Sequence, residues 1–506
     1  MHIVSCYPQL NRQLKIIILS IFIFTQSQSL SSQSSAQFDI VLNGGRVIDP
    51  ETKLDAIRNI GITDGTIKEI SVDPLTGKDV IDVSGLVVSP GFIDLHVHGI
   101  TNVEQEYQVH DGVTTALELE WGLPMLKEWY MSRQSKAMIN YGASVNWPFC
   151  RIKDSKAFTE GKDGIKALIT NGTFKGIQSM ITPILRTFTM ELSANQYSNM
   201  LKNVQESLEE GGLGIGVPVG YLKGATREEV YRLYQMAGRL QAPIFTHVRE
   251  GKAMAIQQAI SDAVLTDAPL HIVHMNSMTL EEIGLAIEMV NTAQQKGYDI
   301  TTEVYPYTAA STGIESAIFD EGWQERLGIS YGDIQWVETG ERLTEETFKI
   351  KRETGGTVII HMMKPEWIEK GITSDNVIIA SDGMYYAELA HPRTAGTYSR
   401  VLGKYVREDQ VLDLPTALKK MTLLPAQVME KISPMMRFKG RIQVGADADL
   451  TIFDPLTVID RATFDKGLKF SDGIRYVLVN GVLVLKEGNT VKDVFPGQPI
   501  YGKYKR

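Results

Sequence analysis

Between residues 92 and 382, short apolar runs with strand character alternate with amphipathic helical stretches, and this alternation restricts the fold more than any other feature. The runs are the one at Phe92, then Gly112–Glu120, Gly142–Trp147, Gly212–Val217, Ala242–His247, Leu270–His274, Asp299–Tyr305 and Asn376–Asp382. Between them, Arg227–Ala237 and Leu280–Val290 set apolar residues at i, i+3 and i+4, which gives a helix one buried face. Strands joined through helices pair in parallel, because a parallel connection needs a crossover of a dozen or more residues. Eight such units over roughly 300 residues are what a (β/α)8 barrel requires, so the expected class is α/β with a TIM-type barrel.

The flanks have a different texture. From Phe38 onward, and again over Ala448–Phe453 and Tyr476–Leu485, short β-rich runs are broken by Asn-Gly and Asp-Gly turns. The two ends are expected to build one small β-sandwich from residues 37–88 and 433–506, leaving 89–432 to the barrel. A polar and aromatic stretch from Gly313 to Gly356, with Trp323 and Trp336, is too long for a simple loop and is read as a lid or small insertion over the barrel mouth. The strand-like Val358–His361 has no assigned place. At the N-terminus, Arg12 and Lys15 precede the apolar run Ile16–Phe24, and a Ser/Gln-rich stretch leads to Ala36. That layout predicts a cleaved signal peptide over 1–36 and a secreted or periplasmic protein, with an uncleaved anchor as the other reading. The apolar run is short for a permanent span, so no stable membrane segment is expected after cleavage. Cleavage leaves Cys150 as the sole cysteine and rules out an internal disulfide. The net charge of -9 offers no basic stripe for nucleic acid and reads as solubility. A homo-oligomer stays open.

The chemistry points to a metal. His96 and His98 alternate along a strand, so their imidazoles share a face and can chelate one divalent ion, although a pair alone also fits two histidines with backbone partners. Functional side chains of such barrels gather where strands end at the C-terminal face. His96 and His98 end unit one, Glu120 unit two, His247 unit five, His274 unit six and Asp382 unit eight. Imidazole with carboxylate suits Zn2+, with Mn2+, Fe2+ or Co2+ also compatible. His361 and His391 are read as structural. His110 and His271 are read as non-ligands, since His271 opens the strand whose other end carries His274.

These residues carry a resemblance. Pro90-Gly-Phe-Ile-Asp-Leu-His-Val-His98, the histidines ending units five and six, Asp382 and the split sandwich resemble the amidohydrolase superfamily. Gly112-Val-Thr-Thr115, His247-Val-Arg249, Glu303–Tyr307, Ser381-Asp-Gly383, His391–Gly396 and Arg400–Arg407 are similar to the N-acyl-D-amino-acid deacylases (D-aminoacylases). The resemblance implies a two-metal site, with His96, His98 and Asp382 on the more buried ion and His247 and His274 on the more exposed one. It implies Asp382 as general base and then acid. Arg393 is implied as a clamp on the substrate carboxylate, Tyr305 as a hydrogen-bond donor to that carboxylate or to the oxyanion, and Arg249 as a residue that orients a ligand or binds substrate.

Three positions depart from the deacylases. Trp121 stands where they carry a bridging cysteine, so Glu120 is expected to bridge, with Glu118 or a carbamylated Lys223 as alternatives. Asn276 replaces a lysine, and Gly99 a usual aspartate. The expected activity is metal-dependent hydrolysis of N-acyl-D-amino acids or related small carboxylated substrates. A cyclic amide or lactone hydrolase, a dipeptidase of the same superfamily and a catalytically silent binding protein are the alternatives.

Overall fold

The computed structural model describes residues 37–171 and 187–506; the expected signal peptide at 1–36 lies outside the described residues. Eight parallel strands form one sheet: β1 (Phe92–Asp94), β2 (Val113–Leu123), β3 (Asn140–Asn146), β4 (Ile215–Pro218), β5 (Ile244–His247), β6 (Leu270–Ile272), β7 (Ile300–Val304) and β8 (Val377–Ile379), neighbouring one another in chain order. Each expected run supplies one strand. The ring is closed between β8 and β1 just beyond their C-terminal ends. There the His98 amide donates to the Gly383 carbonyl at 2.7 Å, and the Gly383 amide donates to the His96 carbonyl at 3.3 Å. The strands are buried along nearly their whole length, as parallel strands covered by helices must be.

Both chain ends build one β unit, as the sequence pattern suggested, in the form of a nine-stranded sheet around a single core. Leu450–Phe453 pairs antiparallel with Val87–Pro90, and Val87–Pro90 pairs parallel with Phe38–Asp49. The sheet wraps one core that takes Val47 and Ile60 from the first end and Leu450, Ile452 and Leu478 from the second. Its link to the barrel is polar and buried. The Lys439 ammonium sits 2.7 Å from Asp449 and 2.9 Å from Asp447, and Asp449 also accepts a hydrogen bond from Asn140 at the start of β3. A buried lysine survives because its charge is matched and its protons are taken up.

The segment between β7 and β8 is a small folded unit. Ala310–Gly313, Thr357–Ile360 and Ile334–Trp336 form a three-stranded antiparallel sheet with Thr357–Ile360 in the middle. It has its own core of Ile314, Phe319, Trp323, Trp336, Phe348 and Val358. The expected insertion at 313–356 thus begins and ends a few residues wider, and Val358–His361 finds its place as the central strand. A second departure lies at the C-terminus, assigned to the sandwich from the sequence. Residues 497–502 leave the sheet and run past the N-terminal end of β3, where the Ile500 amide donates to Tyr141 at 2.7 Å and the Gly497 amide to Ala137 at 3.0 Å.

Ile500 is fully buried and joins Ile93, Leu117, Phe245 and Met429 in one cluster. Ile500→Ala is therefore expected to cost about 2–5 kcal/mol. Leu456→Ala, at a side chain 80% exposed, should leave the melting temperature unchanged. Equal melting curves for the two variants would show that the tail does not secure the barrel.

Candidate metal centre

Six side chains from five strand ends converge at the closing seam of the barrel, and all six are buried. His96 Nε2 and His98 Nε2 each lie 3.3 Å from Glu120 Oε2, and lie 3.5 and 3.4 Å from Asp382 Oδ1. A tetrahedral ion with bonds of about 2.0–2.1 Å separates its ligand atoms by about 3.3–3.4 Å, so each of these four histidine–carboxylate contacts has the spacing such an ion imposes. The other oxygen of the same carboxylate serves a second group. Glu120 Oε1 is 2.9 Å from His247 Nδ1 and 3.1 Å from His274 Nε2, and the two ring nitrogens are 3.1 Å apart. Glu120 thus divides its oxygens between two histidine pairs, as a bridging ligand does.

The charge balance suits cations. Glu118, Glu120, Glu303 and Asp382 are all buried here, and Arg393 is the one guanidinium in ion-pair contact with them among the described residues. Burial disfavours the ionised Glu120, but His247, His274, His96 and His98 outweigh it and hold its carboxyl well below the ordinary range. The same burial acts on Asp382, where Arg393 and His96 likewise keep the carboxyl low. Burial would also raise Glu303, yet His96 and His271 hold it at about 2. A carboxylate-rich, dehydrated pocket with imidazoles on its inner face fits two divalent ions by the chemistry of its donors.

Neighbours fix the imidazoles. Glu303, at the end of β7, accepts Nδ1–H of His96 at 2.5 Å, which leaves His96 Nε2 facing Glu120 and Asp382. Glu118 accepts Nδ1–H of His98 at 2.8 Å, so it stands behind a ligand, and Glu120 takes the position between the two pairs. His274 and Asp382 adopt left-handed backbone with φ of 32° and 53°. For residues other than glycine such backbone costs about 1–3 kcal/mol and marks functional sites.

Other expected site residues fall into three groups. Arg393 is buried against Asp382, its Nη1 2.8 Å from Oδ2, with its guanidinium 4.8 Å from the Tyr305 ring centre. The Tyr305 hydroxyl lies near Ser277 and Arg393 without closing a hydrogen bond. Arg249 donates to the Ala225 carbonyl at 2.7 Å. Lys223 is half-exposed and paired with Asp320, away from the cluster, so it offers no carbamate bridge. Trp121 packs on Tyr221 at 5.2 Å between centroids, and Tyr221 on His247 at 4.6 Å. Asn276, fully buried, braces the Tyr305 carbonyl at 3.0 Å. Glu303 and His271, which the sequence does not mark as ligands, lie directly behind the site, Glu303 against His96 and His271 against Glu303. The signal for Glu303 was its same-face spacing with Thr301 on β7.

Gly99 has a steric reason. A Cβ there would lie 2.3 Å from Cγ and 2.7 Å from Cβ of Glu104, whose carboxylate accepts the amides of Thr101 and Tyr386. Gly99→Asp should cost about 1–3 kcal/mol by overpacking. Adding Glu104→Ala should recover part of the loss, a coupling readable from melting curves in a double-mutant cycle. Additive losses would place the clash elsewhere.

Residues 252–485 match the profile described as the amidohydrolase family. The N-acyl-D-glutamate deacylase of Alcaligenes xylosoxydans xylosoxydans is 27% identical over 476 residues, covering 89% of this chain and 94% of that one. The D-aminoacylase of the same organism is 26% identical, covering 93% and 98%. Among solved structures, N-acyl-D-glutamate deacylase from Bordetella bronchiseptica, complexed with zinc and a phosphonate inhibitor, superposes with a TM-score of 0.76 at 24% identity, covering 92% and 99%. L-hydantoinase from Arthrobacter aurescens shares the fold more distantly, with a TM-score of 0.58 at 16% identity over 92% and 100%. Through residues 252–485 the chain is related to the amidohydrolase family, and over most of its length it resembles the N-acyl-D-amino-acid deacylases.

Proposed function

We propose that the protein is a metal-dependent hydrolase that cleaves the amide bond of N-acyl-D-amino acids or closely related acylated carboxylates. The observation that carries this reading is the Glu120 carboxylate, one oxygen turned to His96 and His98 and the other to His247 and His274. His96, His98 and Asp382 would hold one ion, His247 and His274 a second, and Glu120 would join them, with Zn2+ the first candidate. Bound divalent ions supply a water of lowered pKa and polarise a carbonyl. The activities of the curated relatives, which include an N-acyl-D-aspartate deacylase at 25% identity, support the substrate class.

The chain's own residues then have separable tasks. Asp382, kept ionised by Arg393, is in the form that accepts a proton from the attacking water and returns it to the leaving nitrogen. Arg393 holds Asp382 in an ion pair through Nη1 and reaches the Ser311 carbonyl with Nη2 at 3.5 Å, while neither Nε nor Nη1 closes a hydrogen bond, so the guanidinium has donors left for a substrate carboxylate. Holding both groups at once would set the scissile amide beside the proton carrier. The buried Tyr305 hydroxyl is placed to donate into the same space. Trp121 and Tyr221 form an aromatic wall beside His247. The N-terminal layout supports export of the mature chain to the periplasm or medium. No helix among the described residues is long and apolar enough to cross a membrane.

Wild-type protein is expected to hold two tight metal ions per chain, and Glu120→Ala at most one, by elemental analysis after dialysis. Two tight ions in the variant would move the bridge to another residue. Asp382→Asn should lower kcat by about 10²–10⁴, the usual worth of a placed acid/base group. Undiminished turnover would remove that role.

The substrate class is read from zinc-loaded protein offered paired N-acetyl-D- and N-acetyl-L-amino acids, dipeptides and hydantoins. The D-series is expected to react. Exclusive ring opening would give the assignment to a cyclic amidase instead.

A further inference from the structure

His271 lies inside the barrel at the start of β6, 1% exposed, and offers no atom to the ligand cluster. Its Nε2 is 3.0 Å from Glu303 Oε2 and its Nδ1 is 2.8 Å from the Thr301 hydroxyl. The opposite oxygen, Glu303 Oε1, accepts from His96 Nδ1 at 2.5 Å and from the His274 backbone amide at 3.3 Å. One carboxylate therefore touches both halves of the centre, the ring of His96 on one side and the backbone of His274 on the other. That backbone is held in left-handed conformation at φ 32°. A glutamate has three side-chain torsions, so this arrangement is held by the donors on both of its oxygens. We infer that His271 is a positioning residue: by donating Nε2–H to Glu303 Oε2, with Thr301 fixing its ring, it locks the carboxylate that sets the tautomer of His96 and supports the strained turn at His274.

The argument is one of satisfied groups. An ionised carboxylate only accepts, so His96 and His271 must each present a proton to Glu303. His96 then has Nε2 as a lone pair directed at Glu120 and Asp382. Without His271, Oε2 of a fully buried carboxylate has no donor, at a cost of about 1–3 kcal/mol or more for a charged group. The carboxylate relieves that cost by rotating away from His96 and His274. Partners one step behind a metal ligand typically change metal affinity by about 10–100-fold. The inference rests on the metal reading proposed above, and its readout is metal affinity, which needs no substrate.

The test uses the full mature chain, stripped of metal and titrated with cobalt(II) against a competing chelator, with the visible cobalt spectrum as a second readout. Wild-type protein that takes up no cobalt would sink the metal reading itself. Given wild-type uptake, His271→Leu is expected to weaken cobalt binding by about 10–100-fold and to alter the spectrum. His271→Gln keeps an N–H donor and should stay within about threefold of wild type. Thr301→Val leaves the imidazole in place but frees its ring, and should fall between them. A folded His271→Leu variant with unchanged affinity and spectrum overturns the inference, as does a His271→Gln variant that falls as far as His271→Leu. If His271→Leu does not fold, Thr301→Val decides: wild-type affinity in that variant overturns the lock, and a measurable weakening with an altered spectrum supports it.

Discussion

Burying several carboxylates at one place is the constraint around which this barrel is organised. Glu118, Glu120, Glu303 and Asp382 come from three strands and meet within a few ångströms, all dehydrated. Taken alone, each ionised group would lose far more hydration than its neighbours return. The fold answers with histidines: His96 faces Glu303, Glu120 and Asp382; His98 faces Glu118, Glu120 and Asp382; His247 and His274 face Glu120. Histidine suits this task because it pairs with a carboxylate through one nitrogen and keeps a lone pair on the other for a metal.

Barrel closure and site assembly are the same event. The seam between β1 and β8 is short, and its bonds are made by residues of, or next to, the candidate metal cluster. Asp94 Oδ1 accepts the amides of His96 at 3.1 Å and Ser381 at 3.0 Å, while the Ser381 hydroxyl donates to the His96 carbonyl at 3.2 Å. Together with the His98 and Gly383 amides, these bonds hold the His-x-His segment against the Ser-Asp-Gly turn. Asp382 has little freedom as a result, and Arg393 takes up what remains by pairing with its outer oxygen. A site built this way is preorganised by the scaffold, and the backbone strain at Asp382 is carried by the closed ring.

Much of this was legible in the chain because both relevant patterns are local. Strand runs of five to nine residues announce themselves, and a candidate ligand at the end of a run needs only the rule that barrels work at their C-terminal face. What was illegible depends on distances across the ring. Glu118 and Glu120 share a face of β2, so periodicity could not choose between them. The choice is made by His98, whose Nδ1 takes Glu118. His271 was set aside because it opens its strand, yet an opening position still reaches inward to a carboxylate on the neighbouring β7. Arg249 follows a ligand in sequence but is drawn off by a carbonyl of the preceding unit. The insertion was legible as a unit, but its three-stranded sheet was not, because its central strand Thr357–Ile360 pairs with partners on both sides that lie more than twenty residues upstream.

Trp121 shows how such a departure can be absorbed. In a strand a one-residue offset sends a side chain to the opposite face, so an anion moved from position 121 to 120 cannot simply replace its neighbour unless the strand yields. β2 does yield: its pairing with β3 breaks register between Glu118 and Leu123. Glu118 and Glu120, two residues apart, both face the histidines, and the break follows them. Trp121, on the other side of the offset, swings against Tyr221, and Tyr221 leans on His247. A residue unable to ligate thus becomes the wall beside one of the ligands. The arrangement leaves an anion between the two histidine pairs and sets aromatic surface next to it.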